Sequence, residues 1–413
     1  MSVFSVFTDR KKRKKNIETP TAQQYYQKRA TRVSHLRYAC LLLTVLFVVY
    51  GFAVHGDVLT AENFRYMLKF LDLTEQIAEE GTGEVYFDYA EDNIGGFFKG
   101  DVVVLGSDGL AVYSWETGVE TTRLFAESFR MEEPKLVTTP QSIFAYDLGG
   151  NEIRMFNSYS QIARLSMDYP IYGFDASESG NFAVITSEKN YRTAVYVYDS
   201  YARQIYKRLL SDTYMDQVAL SPDGSTFVAL GHESRGGYLQ SVFQVYSVKN
   251  PDPIRNETFV GELPLMAGYL DNETYAILTG SYLRIYQNGT DEPVSMLPLD
   301  GKKLMGCRFS GGHVLMIYGD SSLAGGTVVC AYDKHGAERV SLHFGGAIED
   351  LHFKNDTVYA LLMGELTVAP LSGKEPVTHA VSNDTLQILF DDDGNPIVFE
   401  KSYAYRLNKE ENK

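Results

Sequence analysis

The sequence predicts an all-β protein: a β-propeller of eight blades, with seven as the alternative, behind an N-terminal transmembrane helix and a short juxtamembrane helix. Three observations lead there. A period near 41 residues runs through most of the chain, turn chemistry repeats at one phase of that period, and a single uncharged apolar stretch follows a basic tail. The composition permits it, since 413 residues with 44% hydrophobic, 22% charged, 35 Gly and 3 Cys exclude disorder, collagen-like repeats and a disulfide-stapled miniprotein.

Residues 1–37 form a basic tail with ten Lys/Arg against two acids, leaving 28 basic and 51 acidic residues, a charge of −23, for the remainder. The run Arg10 to Lys15 alone fits a nucleic-acid patch, but the segment behind it supplies a simpler role. From Tyr38 to Val54 the chain has 17 residues without a charge, ten of them Leu, Val or Phe. As a helix this is about 25 Å long, slightly short of a hydrocarbon core of about 30 Å. Arg37 can snorkel at one end, and Tyr38 and Tyr50 stand where aromatic belts occur. The ten residues contribute roughly −3 to −6 kcal/mol towards insertion. We therefore expect a transmembrane helix over 38–54 that works as an uncleaved signal anchor and makes the lipid bilayer a partner.

Lys28, Arg29, Arg32 and Arg37 precede the span, which orients the N-terminus to the cytoplasm and the C-terminal region outside the plasma membrane. No nucleic-acid partner is expected. Residues 55–82 read as a juxtamembrane helix and connector, with Thr60 as cap and Phe64, Met67, Leu68 and Leu71 on one face.

Residues 83–413 carry the repeat. Short β-rich segments close at Trp115, Phe156, Tyr198, Tyr246, Tyr286, Tyr332 and Tyr405, with Val368 standing for the aromatic in one copy. Their spacings are 41, 42, 48, 40, 46, 36 and 37 residues. A second strand lies upstream of most of them, such as that from Asp101 or Asn181. An inner strand precedes it, as at Gly173 or Asp350, and an outer, more polar one follows the aromatic, as at Arg203 or Glu338. Turns of the type Ser221-Pro222-Asp223-Gly224 punctuate the units, with an acceptor first, Pro fixing φ second and Gly last.

Four antiparallel strands in about 42 residues make one propeller blade, which buries its two apolar faces only against neighbours, so the ring must close. The last unit lacks an outer strand, and the stretch from Glu84 to Tyr89 lacks inner partners. We expect the second to complete the first, a clasp that removes both free edges.

The basic tail, the single short span, the Thr-capped TAENF helix and the SPDG-type turns together resemble an uncharacterised, domain-of-unknown-function family of single-pass, membrane-anchored, WD-repeat-like propellers from Gram-positive bacteria. The resemblance covers essentially the whole chain and implies fold and location. Its motifs are generic, so it implies no functional residues.

Several chemistries lack their residues. No G-x-S-x-G elbow is present for an appended hydrolase, no sialidase-type box, and only one Trp where quinoprotein propellers carry one per blade. Asp391-Asp392-Asp393-Gly394 departs from calcium-loop spacing, because Pro396 stands where Gly must turn the chain. Five His fall in the last third without ligand spacing. No catalytic residue, metal or cofactor is expected. Asn-x-Thr triplets such as Asn256-Glu257-Thr258 read as turns. Cys307 and Cys330 are assigned to the first and third strands of blade six, about 9.5 Å apart and too far for a disulfide, so both are expected as unpaired, buried thiols.

The remaining candidate is loop length. The connection from His232 to Gln240 in blade four reads as the longest between second and third strands, with 188–193 in blade three and 319–326 in blade six next. His232, Glu233, Arg235 and Tyr238 are the candidate binding residues, offering charge, hydrogen bonds and stacking on one rim. The expected function is a membrane-tethered binding or scaffolding module for a protein, peptide or cell-envelope ligand. The alternative is a lactonase-like or glycan-cleaving propeller hydrolase with its site in the central channel.

Overall fold

A computed structural model describes residues 33–38, 40–46, 83–115, 122–299, 301–323, 325–372 and 374–407. The chain divides into two units, residues 1–68 and 69–413. In the first, residues 33–38 and 40–46 are helical, and Thr44 Oγ1 donates to the Cys40 carbonyl at 2.9 Å. No helix among the described residues is long and apolar enough to cross a membrane. The rest of the expected span, 47–54, and the expected juxtamembrane helix and connector, 55–82, lie outside the described residues.

The second unit folds into eight four-stranded antiparallel sheets among its described residues. We name the strands of each sheet a to d from the innermost outwards. Blades one to seven occupy 94–128, 134–166, 173–210, 214–260, 264–298, 304–344 and 350–380. Blade eight takes strands a to c from 385–406, and its strand d is Glu84–Tyr86. The clasp is as expected: Glu84 pairs with Tyr405, Val85 with Ala404 and Tyr86 with Tyr403. Val85 is fully buried, and the Tyr86 and Tyr403 rings stack at 5.5 Å.

The second strands are nearly continuous apolar runs because blades cover both their faces. In blades two to six the closing aromatic of strand c (Phe156, Tyr198, Tyr246, Tyr286, Tyr332) stands opposite Ile143, Phe182, Phe227, Tyr275 and Val314 of strand b. All five are buried. The phase differs in two other blades. In blade one Tyr113 takes the place opposite Val102, and Trp115 lies beyond the strand end; in blade seven Ala369, not Val368, faces Val358.

Inner strands adjoin around the channel, with the last, Thr385–Phe390, against the first, Ile94–Phe98. Two glycines let neighbouring rings in: a Cβ on Gly95 would stand 2.6 Å from the Phe399 ring, and one on Gly268 would stand 2.4 Å from Phe309. At five of the eight junctions a polar side chain of an inner strand then clips one blade to the backbone of the next. Leu220 N donates to Asp175 Oδ2 at 2.7 Å, Ala267 N to Gln217 Oε1 at 3.2 Å, and Phe353 N to Ser310 Oγ at 3.0 Å. Ile388 N donates to Asp350 Oδ2 at 2.8 Å, and Gly95 N to Gln387 Oε1 at 3.0 Å. Such bonds satisfy backbone groups that an open inner edge would leave unpaired.

In blade six Cys307 and Cys330 both stand opposite Met316, on either side of the strand between them, and both are free thiols. Cys330 is buried, whereas Cys307 is only partly so; burial nonetheless pushes the Cys307 thiol up to about 12.

Candidate binding rim

In every blade the b–c turn and the d-to-a linker emerge at one end of the sheet, and the a–b and c–d turns at the other. This follows from antiparallel order alone. The b–c rim is where the sequence places its candidate residues, and there the structure corrects the expectation.

His232 to Gln240 is not a loop. Strand b of blade four runs Thr226–Arg235 and strand c Tyr238–Ser247, paired without a break to Arg235 opposite Tyr238. Only Gly236 and Gly237 lie between, with φ of +62° and +83°, the two left-handed residues that a tight hairpin turn requires. The segment is a solvated β-arm. The 188–193 segment is likewise a hairpin, with Glu188 opposite Tyr191 around Lys189 and Asn190. The longest b–c connection among the described residues is in blade six, from Asp320 to Gly326.

Strand alternation divides the four candidates. Glu233, Arg235 and Tyr238 share one face of the arm, and His232 lies on the other with Ser234 and Leu239. The structure thus groups three of them and separates the fourth. His232 stacks on Tyr214 with ring centroids 5.5 Å apart, and its Nδ1 lies 2.8 Å from Asp216 Oδ2. The Arg192 guanidinium sits 4.9 Å from the centre of the Tyr214 ring. Arg192, Tyr214 and Asp216 were missed because the sequence alone does not place Tyr214 opposite His232 in the sheet.

Around the arm, large apolar side chains are exposed. Tyr238 is 68% accessible and Val260 65%, and Tyr191, Tyr214, Leu239 and Leu263 are exposed on the same rim. Val260 stands opposite Gln240, and the backbone joins Leu239 O to Gly261 N at 3.1 Å. Aromatic, aliphatic and Arg side chains set close together are the composition of interface anchors.

On the channel side, Arg308, Asp350 and His352 converge. Asp350 Oδ1 accepts from Arg308 Nη1 and from Leu351 N at 3.0 Å; Oδ2 accepts from Ile388 N and lies 3.0 Å from His352 Nε2. His352 and Arg308 hold this carboxyl down at about 2 against the opposing effect of burial. Two of its four partners, Arg308 and Ile388, lie on the neighbouring blades, so the carboxylate joins three blades. Asp391, first of the acidic run, is buried in a turn and takes Arg406 Nη2 at 2.9 Å. No group of three or more metal-ligating side chains occurs among the described residues.

Eight four-stranded antiparallel blades closed by an N-terminal strand define a WD40-type β-propeller. The chain belongs to the family of unknown function DUF5711, whose profile matches residues 88–403. Among solved structures it is similar to Sqt1 of Chaetomium thermophilum (TM-score 0.56, 13% identity, 81% of this chain and 99% of that one). It is also similar to the C-terminal WD40 domain of Sif2 (TM-score 0.53, 14% identity, 79% and 95%). At such identities the likeness concerns the fold. No curated protein matches the sequence.

Proposed function

We propose that this chain is a membrane-tethered, extracytoplasmic scaffold that offers its b–c rim to a protein partner. The observation that carries the reading is the exposed apolar group Tyr191, Tyr214, Tyr238, Leu239, Val260 and Leu263 around the blade-four arm. Exposed apolar groupings of this kind mark interaction sites more often than bare surface. A propeller of this fold, Sqt1, is solved bound to the N-terminus of ribosomal protein L10, so the architecture is compatible with peptide capture. The tether reading is supported by the uncharged 38–54 segment and by Leu41, Leu42, Leu43, Val45 and Leu46, all exposed on the helical stretch. Gly83, which precedes the clasp strand, lies on the rim of the c–d turns, opposite the rim of the exposed aromatics.

Two experiments test it. A photo-crosslinking amino acid in place of Tyr238 is expected to give a discrete protein adduct in cells, whereas one in place of Tyr201, 75% exposed on the opposite rim, gives none. Equal adducts from both, or none from either, remove the rim from the reading. Tyr201→Cys is expected to react with a membrane-impermeant maleimide in intact cells; labelling only after lysis would overturn the topology.

A further inference from the structure

Asp320, Ser321, Ser322, Gly325 and Gly326 of the b–c connection of blade six line a cavity of about 750 Å³. The volume lies within the range of small-molecule sites. One face of the blade-six sheet supplies its wall, since Tyr318, Val328 and His343 stand side by side on strands b, c and d, with Cys330 in the next row. Met305 of strand a adds a flexible apolar side chain. The linker from blade five brings Lys302 and Lys303 to the same cavity.

The charges are unevenly committed. Asp320 on the wall is already engaged, with His343 Nδ1 at 2.9 Å and the Ser322 N–H at 2.7 Å. Glu338, the other lining carboxylate, accepts from Tyr332 Oη at 3.2 Å. The two ammonium groups are different. Lys302 Nζ sits 4.8 Å from the centre of the Tyr318 ring, and among the described residues neither Lys302 nor Lys303 makes an ion pair. Lys302 and Lys303 thus place two exposed, unneutralised positive charges side by side at the cavity. An ammonium seeks an anion, and Tyr318, Val328 and Met305 supply apolar area in the same cavity.

We propose that the blade-six cavity binds a small amphiphile with one carboxylate, held by Lys302 and Lys303, and an apolar body laid against Tyr318, Val328 and Met305. The site is separate from the blade-four arm and does not depend on the rim's binding a protein. Ion pairing at the mouth sets the orientation of the ligand, and the apolar wall sets its size.

The test uses the full chain in lipid nanodiscs, titrated calorimetrically with 4-phenylbutyrate, with empty nanodiscs as blank. Saturable binding is expected, with 4-phenylbutanamide and 4-phenylbutylamine about tenfold weaker or worse, the scale of a lost charge-assisted contact. Lys302→Met/Lys303→Met is expected to lower affinity by about tenfold at unchanged melting temperature, and Lys302→Arg/Lys303→Arg to retain it. Binding no stronger than the blank overturns the proposal. So does an amide that binds as well as the acid, or a Met variant within twofold of the parent. Should the Met variant melt early, the Arg variant and the amide comparison still decide.

Discussion

Asp175 gives the propeller a pH dependence opposite to that of Asp350, another inter-blade carboxylate. It lies on the inner strand of blade three, and its Oδ2 takes the Leu220 N–H of blade four. Burial raises it from the usual carboxylate range to about 6, and the backbone donors Leu220 and Ala176 recover only part of that rise. Between about pH 4 and 6 the folded protein holds a proton there that the unfolded chain has released, so stability falls as pH rises through that window. A shift of roughly two pH units corresponds to about 3 kcal/mol at most, since the partly exposed side chain retains some solvent. Asp175→Asn keeps an acceptor for Leu220 and removes the titration. Relative to the parent, the variant is expected to gain about 2–3 kcal/mol between pH 4 and pH 7. The assay is equilibrium urea unfolding at both pH values, followed by circular dichroism. If the difference between variant and parent moves by less than about 0.5 kcal/mol, the carboxyl ionises normally and the burial argument is wrong.

The remaining expectations concern the ring. Asp350, held at about 2, contributes stability that is fully present above pH 4 and lost as pH falls towards 2, about 2 kcal/mol in all; Asp350→Asn should flatten that acid limb in a pH series of melting temperatures. Gly268→Ala, which drives a methyl into the Phe309 ring, is expected to cost about 1–3 kcal/mol alone and much less in a Phe309→Ala background; additive costs in urea unfolding would falsify the packing. Val85→Cys/Ala404→Cys, a directly opposed pair, should form a disulfide joining the two ends of the propeller, whereas Val85→Cys/Tyr405→Cys should not; non-reducing peptide mapping separates the registers.

The repeat was legible because five closing aromatics share one phase and one burial environment, and the clasp because a three-stranded last unit and an orphan strand imply each other. The blade-four arm was not legible as strand. From His232 to Gln240 neither face meets the core, so apolar alternation, the usual sign of a half-buried strand, is missing. What remained was the Gly236-Gly237 pair, a hairpin signal outweighed by the polar residues around it. The inter-blade clips were hidden for a different reason: Asp175, Gln217 and Gln387 look like ordinary inner-strand polar residues until the neighbouring backbone is in place. The split of the four candidate residues needed the register, since one step along a strand reverses its face.

The same clips bear on where recognition can occur. Asp175, Gln217, Ser310, Asp350 and Gln387 are channel-side polar groups, each bonded to the backbone of the next blade, while Arg308 and His352 are engaged by the Asp350 carboxylate. To free any of them for a ligand, a blade junction would have to give up a buried hydrogen bond, at about 1–3 kcal/mol for the group left unpaired. At the b–c turns no such constraint holds. Blade four extends there by strand pairs beyond its core, and blade six by a seven-residue loop, while their inner strands keep the contacts that close the ring. Both additions, the arm and the blade-six cavity, lie on that rim.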